Sequence, residues 1–241
     1  MSDPTRTSQS TRHATDPAAA AARTPAAAVA PTIRHPRAAA FRALLAAAAL
    51  TGLLLAALGS PSPAHLLTRF TVQANLAVAL VSACAAHRAW TGRRPVSPRI
   101  TGALLPFLAL PALAHYALPA DTTAFTLPEA GTPTAARVIA PQLLYVLTPL
   151  AALADWLLLT GPRGFRLSCA WQWPAYPLLH LAFALAFPAA AGAPPPTVAT
   201  ALTLALAICL LPLITIGIDQ VRPAPRLHNN RISPQGIGPL K

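Results

Sequence analysis

The chain has 241 residues, of which 54% are hydrophobic and only 10% are charged, and its mean hydropathy is +0.50. Soluble domains carry about a quarter charged residues, so this composition argues against an ordinary soluble protein and favours a membrane protein. The net charge of +12 does not indicate nucleic-acid binding, because the basic residues are scattered between apolar runs rather than gathered on one face.

The first 38 residues are rich in Ala, Thr, Ser, Pro and Arg and have no hydrophobic period. Such a segment buries too little apolar surface to offset the entropy lost on ordering, so residues 1–38 are predicted to form a disordered basic tail. The apolar run that follows ends before GSPSPA, which is also compatible with a cleaved leader. Because the run is long and its basic region is far larger than that of a leader, we expect a retained transmembrane helix.

Six apolar segments are long enough to cross a bilayer, which needs about 20 mainly apolar residues per helix. They are residues 39–59, 66–87, 100–119, 137–159, 168–189 and 197–218. Several contain proline, which membrane helices tolerate because neighbouring groups satisfy the freed backbone. We therefore predict an all-α polytopic membrane protein, with six transmembrane helices in a bundle over residues 39–222 and a basic tail over residues 223–241.

The Lys and Arg residues divide unevenly between the two sides of such a bundle. Sixteen fall in the two terminal tails, the second and fourth loops and the first turn of the first helix. Only Arg69 and Arg137 fall on the other side. Because basic loops stay cytoplasmic, the pattern predicts a multi-pass protein of the cell membrane with both termini in the cytoplasm. The expected partner is the lipid bilayer, and no nucleic acid is expected.

The cysteine and histidine spacing indicates no prosthetic group. Cys84, Cys169 and Cys209 fall in or beside apolar runs and form no CxxC pair, so neither a disulfide framework nor a metal site is predicted. We interpret them as small buried hydrophobic residues. His115 and His180 are too far apart in sequence to indicate haem or metal, and no cofactor is expected.

The stretch RFTVQANLAVAL, residues 69–80, places three hydrogen-bonding side chains in a predicted membrane helix. Such groups are rare in spans and tend to face the bundle interior. Thr71 and Asn75 are four residues apart and share one helix face, whereas Gln73 points about 200° away. The rise of about 1.5 Å per residue places three further polar side chains near the same outer-half depth. These are His115, Tyr145 and His180.

We call Thr71, Asn75, His115, Tyr145 and His180 the polar layer. It has two interpretations. As a pocket, it would open outward and take a lipid-like small molecule. As a packing device, Thr71 would return its hydroxyl to a backbone carbonyl, and Asn75 would be the main hydrogen-bonding link to a neighbouring helix.

Asp155 lies late in the fourth predicted span, next to Trp156. A carboxylate at this position can cap the helix or form an ion pair across the following loop. We expect Asp155 to cap its helix or to pair with Arg163 or Arg166, in a structural rather than a catalytic role.

The same stretches resemble a protein family. RFTVQANLAVAL resembles the FTIQSNLL signature of a family of six-helix actinobacterial membrane proteins, and LLYVLTPLAALADWLLL (143–159) resembles its second signature. HYALPA and WPAYPL stand in matching order, so the resemblance covers about residues 40–222. That family is distantly similar to the androgen-induced and androgen-dependent TFPI-regulating membrane proteins, which are understood as intramembrane threonine hydrolases of lipid esters using one Thr and one His.

The resemblance implies that Thr71 is the nucleophile, with a nearby base to take its proton and with Asn75 as a donor to the oxyanion. The family histidine, four residues before the helix-four proline, is Tyr145 here, so His115 or His180 would serve as the base.

Two hypotheses follow. The first is an integral membrane protein of unknown activity, in which the polar layer fixes helix packing or binds a small molecule. The alternative is a threonine hydrolase of lipid esters, with Asn75 and Tyr145 contacting the substrate.

Overall fold

The computed structural model describes residues 34–60, 62–118, 124–127, 134–191 and 195–223, and the regular structure within these ranges is helical throughout. The helices are α1 (Pro36–Gly59), α2 (Pro63–Leu66), α3 (Phe70–Thr91), α4 (Pro98–Ala117), α5 (Ala135–Leu159), α6 (Cys169–Ala186), α7 (Pro188–Ala191) and α8 (Val198–Val221). The two predicted tails lie outside the described residues except at their inner ends, where α1 begins at Pro36 rather than at residue 39.

Five of these helices are long and apolar enough to cross a bilayer: α1, α3, α4, α5 and α8. Their mean hydropathies lie between 1.4 and 2.5, which marks the chain as an integral membrane protein. The sixth long helix, α6, has 18 residues and is not one of the five. Its first half carries Gln172, Pro174 and Pro177, which lower its hydropathy. The structure thus supports five of the six predicted spans.

Two helix boundaries differ from the sequence prediction for local reasons. The chain first forms the short turn of α2, so α3 begins at Phe70 rather than at residue 66. Helix α3 ends before Gly92, whose φ of 68° is left-handed and suits glycine at a helix C-terminus. Helix α6 stops at Ala186 because Phe187 precedes a proline, and a residue in that position disfavours helical backbone.

Small residues allow α1 to approach its neighbours closely. The buried face of α1 includes Ala46, Ala49, Gly52 and Ala56, and α1 packs along both α3 and α5. A Cβ atom on Gly52 would lie 2.6 Å from Leu144 Cδ2, so a larger residue there would require Leu144 to shift. Membrane helices associate through such small residues because lipid offers no hydrophobic driving force between them.

Helix α3 is the most enclosed of the five candidate spans. Over its most apolar 18-residue window, 56% of the residues are buried, against 22–33% for the other four. The other helices instead expose large apolar side chains, as on α8, where Leu202, Leu206, Leu210 and Leu213 recur on one face. This distribution gives a lipid-facing perimeter around a central α3, and it places Thr71, Asn75 and Ser82 of α3 inside the bundle.

The described arginines gather at one end of the bundle. The start of α1 meets the end of α3 through the bond from the His35 N–H to the Ala89 carbonyl, at 3.0 Å. The start of α6 meets α4 through Trp173 Nε1 and the Arg99 carbonyl, at 3.1 Å. We call this the arginine-rich end. Its described arginines are Arg34, Arg37, Arg42, Arg88, Arg93, Arg94, Arg99, Arg163, Arg166 and Arg222. Arg69 and Arg137 are the described arginines of the opposite end.

Asp155 forms an ion pair with a different arginine from those expected. Its Oδ1 accepts from Arg42 Nε at 2.8 Å, and both side chains are 15% exposed. The expectation of Arg163 or Arg166 as partner is therefore wrong. The reason is that α1 packs against α5, which brings Arg42 alongside Asp155 and ties the first helix to the fourth predicted span.

A second acidic residue, Asp219 near the end of α8, is completely buried. Its Oδ2 accepts from the Phe165 N–H at 3.0 Å, and its Oδ1 lies 3.5 Å from Arg222 Nη1. Arg222 in turn donates to the carbonyls of Leu157 and Thr160, at 2.8 and 2.7 Å. This network fastens the loop between α5 and α6 to the end of α8.

Candidate functional site

A short non-helical segment enters the bundle at the end opposite the arginines. Residues 124–127 are all buried, and Phe125 is completely inaccessible. We call them the inserted segment. The Phe70 N–H, one of the donors that the first turn of α3 leaves unpaired, donates to the Ala124 carbonyl at 3.1 Å. The inserted segment therefore supplies a backbone acceptor for the first turn of α3 inside the protein.

Thr71 lies in the first turn of α3 and is completely buried. Its hydroxyl donates to the Phe125 carbonyl at 2.5 Å, and its Oγ1 lies 3.5 Å from the Tyr145 hydroxyl. The hydroxyl thus binds a carbonyl oxygen, but that carbonyl belongs to the inserted segment and not to the helix of Thr71 itself.

Asn75 lies one turn further along the same face and is also completely buried. Its Nδ2 donates to the Thr71 carbonyl at 3.0 Å, within its own helix. Its Oδ1 has no hydrogen-bond partner in the described part of the chain. The expectation that Asn75 is the main link to a neighbouring helix is therefore wrong, and on this face it is Thr71 that bonds outside its own helix, to the inserted segment.

Gln73 faces a different neighbour from Thr71, as its position on the helix predicts. Its Nε2 donates to the Leu67 carbonyl at 2.8 Å, and its Oε1 accepts from the Tyr176 hydroxyl at 2.7 Å. Gln73 therefore connects α3 to α6 outside the polar layer.

Tyr145 reaches Thr71 from a widened section of α5. Residues Gln142–Leu147 are π-helical, and the Thr148 N–H donates to the Leu143 carbonyl, five residues earlier. Pro149 has no N–H to offer the Tyr145 carbonyl, which favours this wider turn. The Tyr145 hydroxyl accepts from the Leu127 N–H at 2.6 Å. The sequence signal for this geometry was the Thr-Pro pair in LLYVLTPL.

The two histidines lie on different sides of this cluster. His180 of α6 is buried between the rings of Phe70 and Phe125, with centroid distances of 5.3 and 5.1 Å, and its Nε2 lies 3.3 Å from the Ala124 carbonyl. His115 of α4 stacks on the ring of Tyr145, with centroids 4.4 Å apart. The structure therefore gathers Thr71, Tyr145 and His180 around the inserted segment, with His115 stacked against Tyr145.

Arg69 is a buried member of this region, although the sequence pattern indicated only a basic residue on the less basic side of the bundle. It precedes the first turn of α3 and is 6% exposed. Burial lowers the pKa of its guanidinium from the usual value, and the nearby Tyr145 hydroxyl opposes that shift. A guanidinium remains protonated at neutral pH even so. The available signal was that Arg69 is one of only two basic residues on its side of the predicted bundle.

The chemistry open to Thr71 depends on which group can take its proton. The side-chain oxygen within hydrogen-bond reach is that of Tyr145, and a phenol is a poor base near neutral pH because free tyrosine titrates at about pH 10. His180 directs its Nε2 to the Ala124 carbonyl. In the described part of the chain, no group of three His, Cys, Asp or Glu side chains could hold a metal ion.

Known proteins give no further guide to this site. No protein-family model, curated protein or solved structure matches the chain.

Proposed function

We propose that the chain is a six-span protein of the cell membrane with its arginine-rich end and both termini in the cytoplasm. Helix α6 supports the sixth span, because its 18 residues extend about 27 Å, close to the thickness of a hydrocarbon core. It also exposes large apolar side chains, including Leu179 and Phe183. The clustering of the described arginines at one end supports the orientation through the rule that basic loops stay inside.

Reporter fusions at residues 62, 95, 128 and 164 test this topology. We expect a cytoplasmic signal at residues 95 and 164, and an external signal at residues 62 and 128. An external signal at 95 or 164 would overturn the orientation. If α6 and α8 both span the membrane, fusions at residue 164 and after residue 223 report the same side. Reports from opposite sides would show that α6 is not a span.

We propose further that the polar layer has a structural role, holding the inserted segment inside the membrane. The observation that carries this proposal is the identity of the hydrogen-bond partners. The side chains of Thr71, Tyr145 and His180 all form hydrogen bonds to backbone groups of residues 124–127. Non-helical backbone is tolerated at membrane depth only where protein or water satisfies its polar groups. A layer of polar side chains supplies those partners.

An intramembrane hydrolase of lipid esters is the second candidate function. The observation in its favour is that the Thr71 hydroxyl already contacts a carbonyl oxygen, with the Tyr145 hydroxyl close by. The resemblance of RFTVQANLAVAL to the threonine-hydrolase families supports the same role for Thr71. In this reading, the Phe125 carbonyl occupies the position of a substrate carbonyl, and His180, or His115 stacked on Tyr145, would have to receive the proton.

A fluorophosphonate probe on the purified full-length protein separates the two candidates. The structural role predicts no labelling of folded protein and no difference between the wild type and Thr71→Ala. The hydrolase predicts labelling that Thr71→Ala abolishes and Thr71→Ser retains. Thr203→Ala is the matched control, because the Thr203 hydroxyl is exposed and donates to the Ala199 carbonyl of its own helix.

A further inference from the structure

The arginines of the arginine-rich end are of two kinds. Arg42 and Arg222 are partly buried and pair with Asp155 and Asp219, the acidic residues of this end in the part of the chain that the structure describes. The other arginines of this end are exposed, and we call them the arginine patch. They are Arg34, Arg37, Arg88, Arg93, Arg94, Arg99, Arg163 and Arg166. The two carboxylates are thus used inside the bundle, while eight positive charges face outward.

The terminal tails do not supply enough negative charge to balance the arginine patch. Residues 1–33 contain two acidic residues, Asp3 and Asp16, against three arginines. Residues 224–241 contain two arginines and one lysine but no Asp or Glu. The arginine patch therefore attracts anions from outside the chain.

Two members of the patch lie where α4 meets the loop before α6. A Cβ atom on Gly164 of this loop would lie 3.2 Å from Pro98 Cβ, at the start of α4. Trp173 Nε1 of α6 donates to the Arg99 carbonyl at 3.1 Å. Arg99, in the first turn of α4, and Arg166, three residues before α6, therefore lie on segments that pack together.

Exposed apolar side chains adjoin these two arginines. Ile100 follows Arg99 and is 51% exposed, and Leu167 follows Arg166 and is 77% exposed. Trp171, in the first turn of α6, is 70% exposed, and tryptophan is enriched where a membrane meets water. The region combines two cations with an apolar surface, which fits an anionic amphiphile better than a free anion in water.

We propose that Arg99 and Arg166 bind an anionic phospholipid. The two guanidinium groups donate charge-assisted hydrogen bonds to the phosphate, and Ile100, Leu167 and Trp171 contact the upper part of the acyl chains. A zwitterionic lipid fits less well, because its ammonium group would lie beside the arginine patch. A nucleic acid supplies phosphates but no acyl chain to cover the apolar side chains. Such lipid binding does not depend on which side of the membrane the arginine-rich end faces.

Binding of defined lipids to the delipidated full-length protein, measured by native mass spectrometry in detergent, tests this proposal. We expect dioleoyl phosphatidylglycerol to bind at least about tenfold more tightly than dioleoyl phosphatidylcholine. Arg99→Gln combined with Arg166→Gln should weaken phosphatidylglycerol binding about thirtyfold, since one arginine at a membrane surface changes binding about fivefold. Phosphatidylcholine binding should not change. Arg99→Lys combined with Arg166→Lys keeps both charges and should retain most of the lipid preference.

Arg93→Gln combined with Arg94→Gln is the matched control. It removes two charges from the same end, at positions flanked by Gly92 and Pro95 rather than by an exposed aliphatic side chain. We expect phosphatidylglycerol binding to weaken by less than about threefold, because salt screens charges that do not contact the phosphate. All four substituted arginines are exposed, so both double variants should fold, and thermal unfolding checks that they do.

Equal binding of the two lipids by the wild type would overturn the proposal. Equal weakening by the two glutamine double variants would overturn the assignment to Arg99 and Arg166, because it would show only a diffuse attraction of anions. Soluble glycerol 3-phosphate that binds as tightly as phosphatidylglycerol would overturn the assignment to a lipid, as would a short DNA duplex that displaces the lipid.

Discussion

Replacing Thr71 by Val tests whether the polar layer holds the inserted segment. The two side chains have nearly the same shape, so the change removes the hydroxyl and leaves the Phe125 carbonyl without its donor. Leaving a buried acceptor unpaired costs about 1–3 kcal/mol. Hydrogen bonds between membrane helices average only about 0.6 kcal/mol, because freed groups find other partners. Phe125 lies in non-helical, fully buried backbone, so we expect about 1.5 kcal/mol of destabilisation.

The measurement is the free energy of unfolding of the full-length protein in bicelles, obtained by steric trapping. Thr203→Val is the matched control, because that exposed hydroxyl bonds within its own helix, and its loss should change stability by less than about 0.5 kcal/mol. Equal effects of the two substitutions would refute the assignment of Thr71 as an anchor of the inserted segment.

Three further substitutions test other contacts with the same measurement. Tyr145→Phe leaves the Leu127 N–H unpaired and should cost about 1–2 kcal/mol, and a cost under about 0.3 kcal/mol would contradict that bond. Gly102→Ala places a Cβ 2.6 Å from Phe165 Cζ and 2.8 Å from Trp173 Cη2, and should cost about 1–3 kcal/mol. Its control is Gly217→Ala, which has open space around the added Cβ and should be neutral or stabilising. Asp219→Leu should cost about 3 kcal/mol, and Asp219→Asn clearly less because the amide oxygen can still accept from Phe165.

The helical architecture could be predicted because long apolar runs have few alternatives in a membrane. Backbone groups in a bilayer must be satisfied within the segment, so a run of about 20 apolar residues forms a helix. The boundaries followed local signals that are weaker, such as Gly92 at the end of α3 and Phe187 before a proline at the end of α6. Helix α6 is ambiguous for a physical reason, since Gln172, Pro174 and Pro177 lower the average hydropathy of a helix that also exposes large apolar side chains.

The grouping of Thr71, Tyr145 and His180 could also be expected from their depths along the helices. Their hydrogen-bond partners could not be predicted, because the inserted segment comes from a loop. Its sequence, AFTL, has no periodicity that distinguishes buried from exposed backbone. The pairing of Arg42 with Asp155 was missed for a similar reason. It depends on α1 packing against α5, and small residues permit such an approach without specifying the neighbour.

The structural and catalytic roles of Thr71 compete for one hydroxyl. In the structure the Thr71 hydroxyl donates to the Phe125 carbonyl. The Tyr145 hydroxyl accepts from the Leu127 N–H, two residues further along the inserted segment. A substrate carbonyl could take the place of the Phe125 carbonyl only if the inserted segment withdrew. That withdrawal would also break the bonds of Leu127 to Tyr145, of the Phe70 N–H to Ala124 and of His180 to Ala124. Four broken buried bonds would cost about 4 kcal/mol, which the substrate would have to recover. Substitutions that loosen the segment should therefore increase probe labelling if Thr71 is a nucleophile, and only reduce stability if it is an anchor.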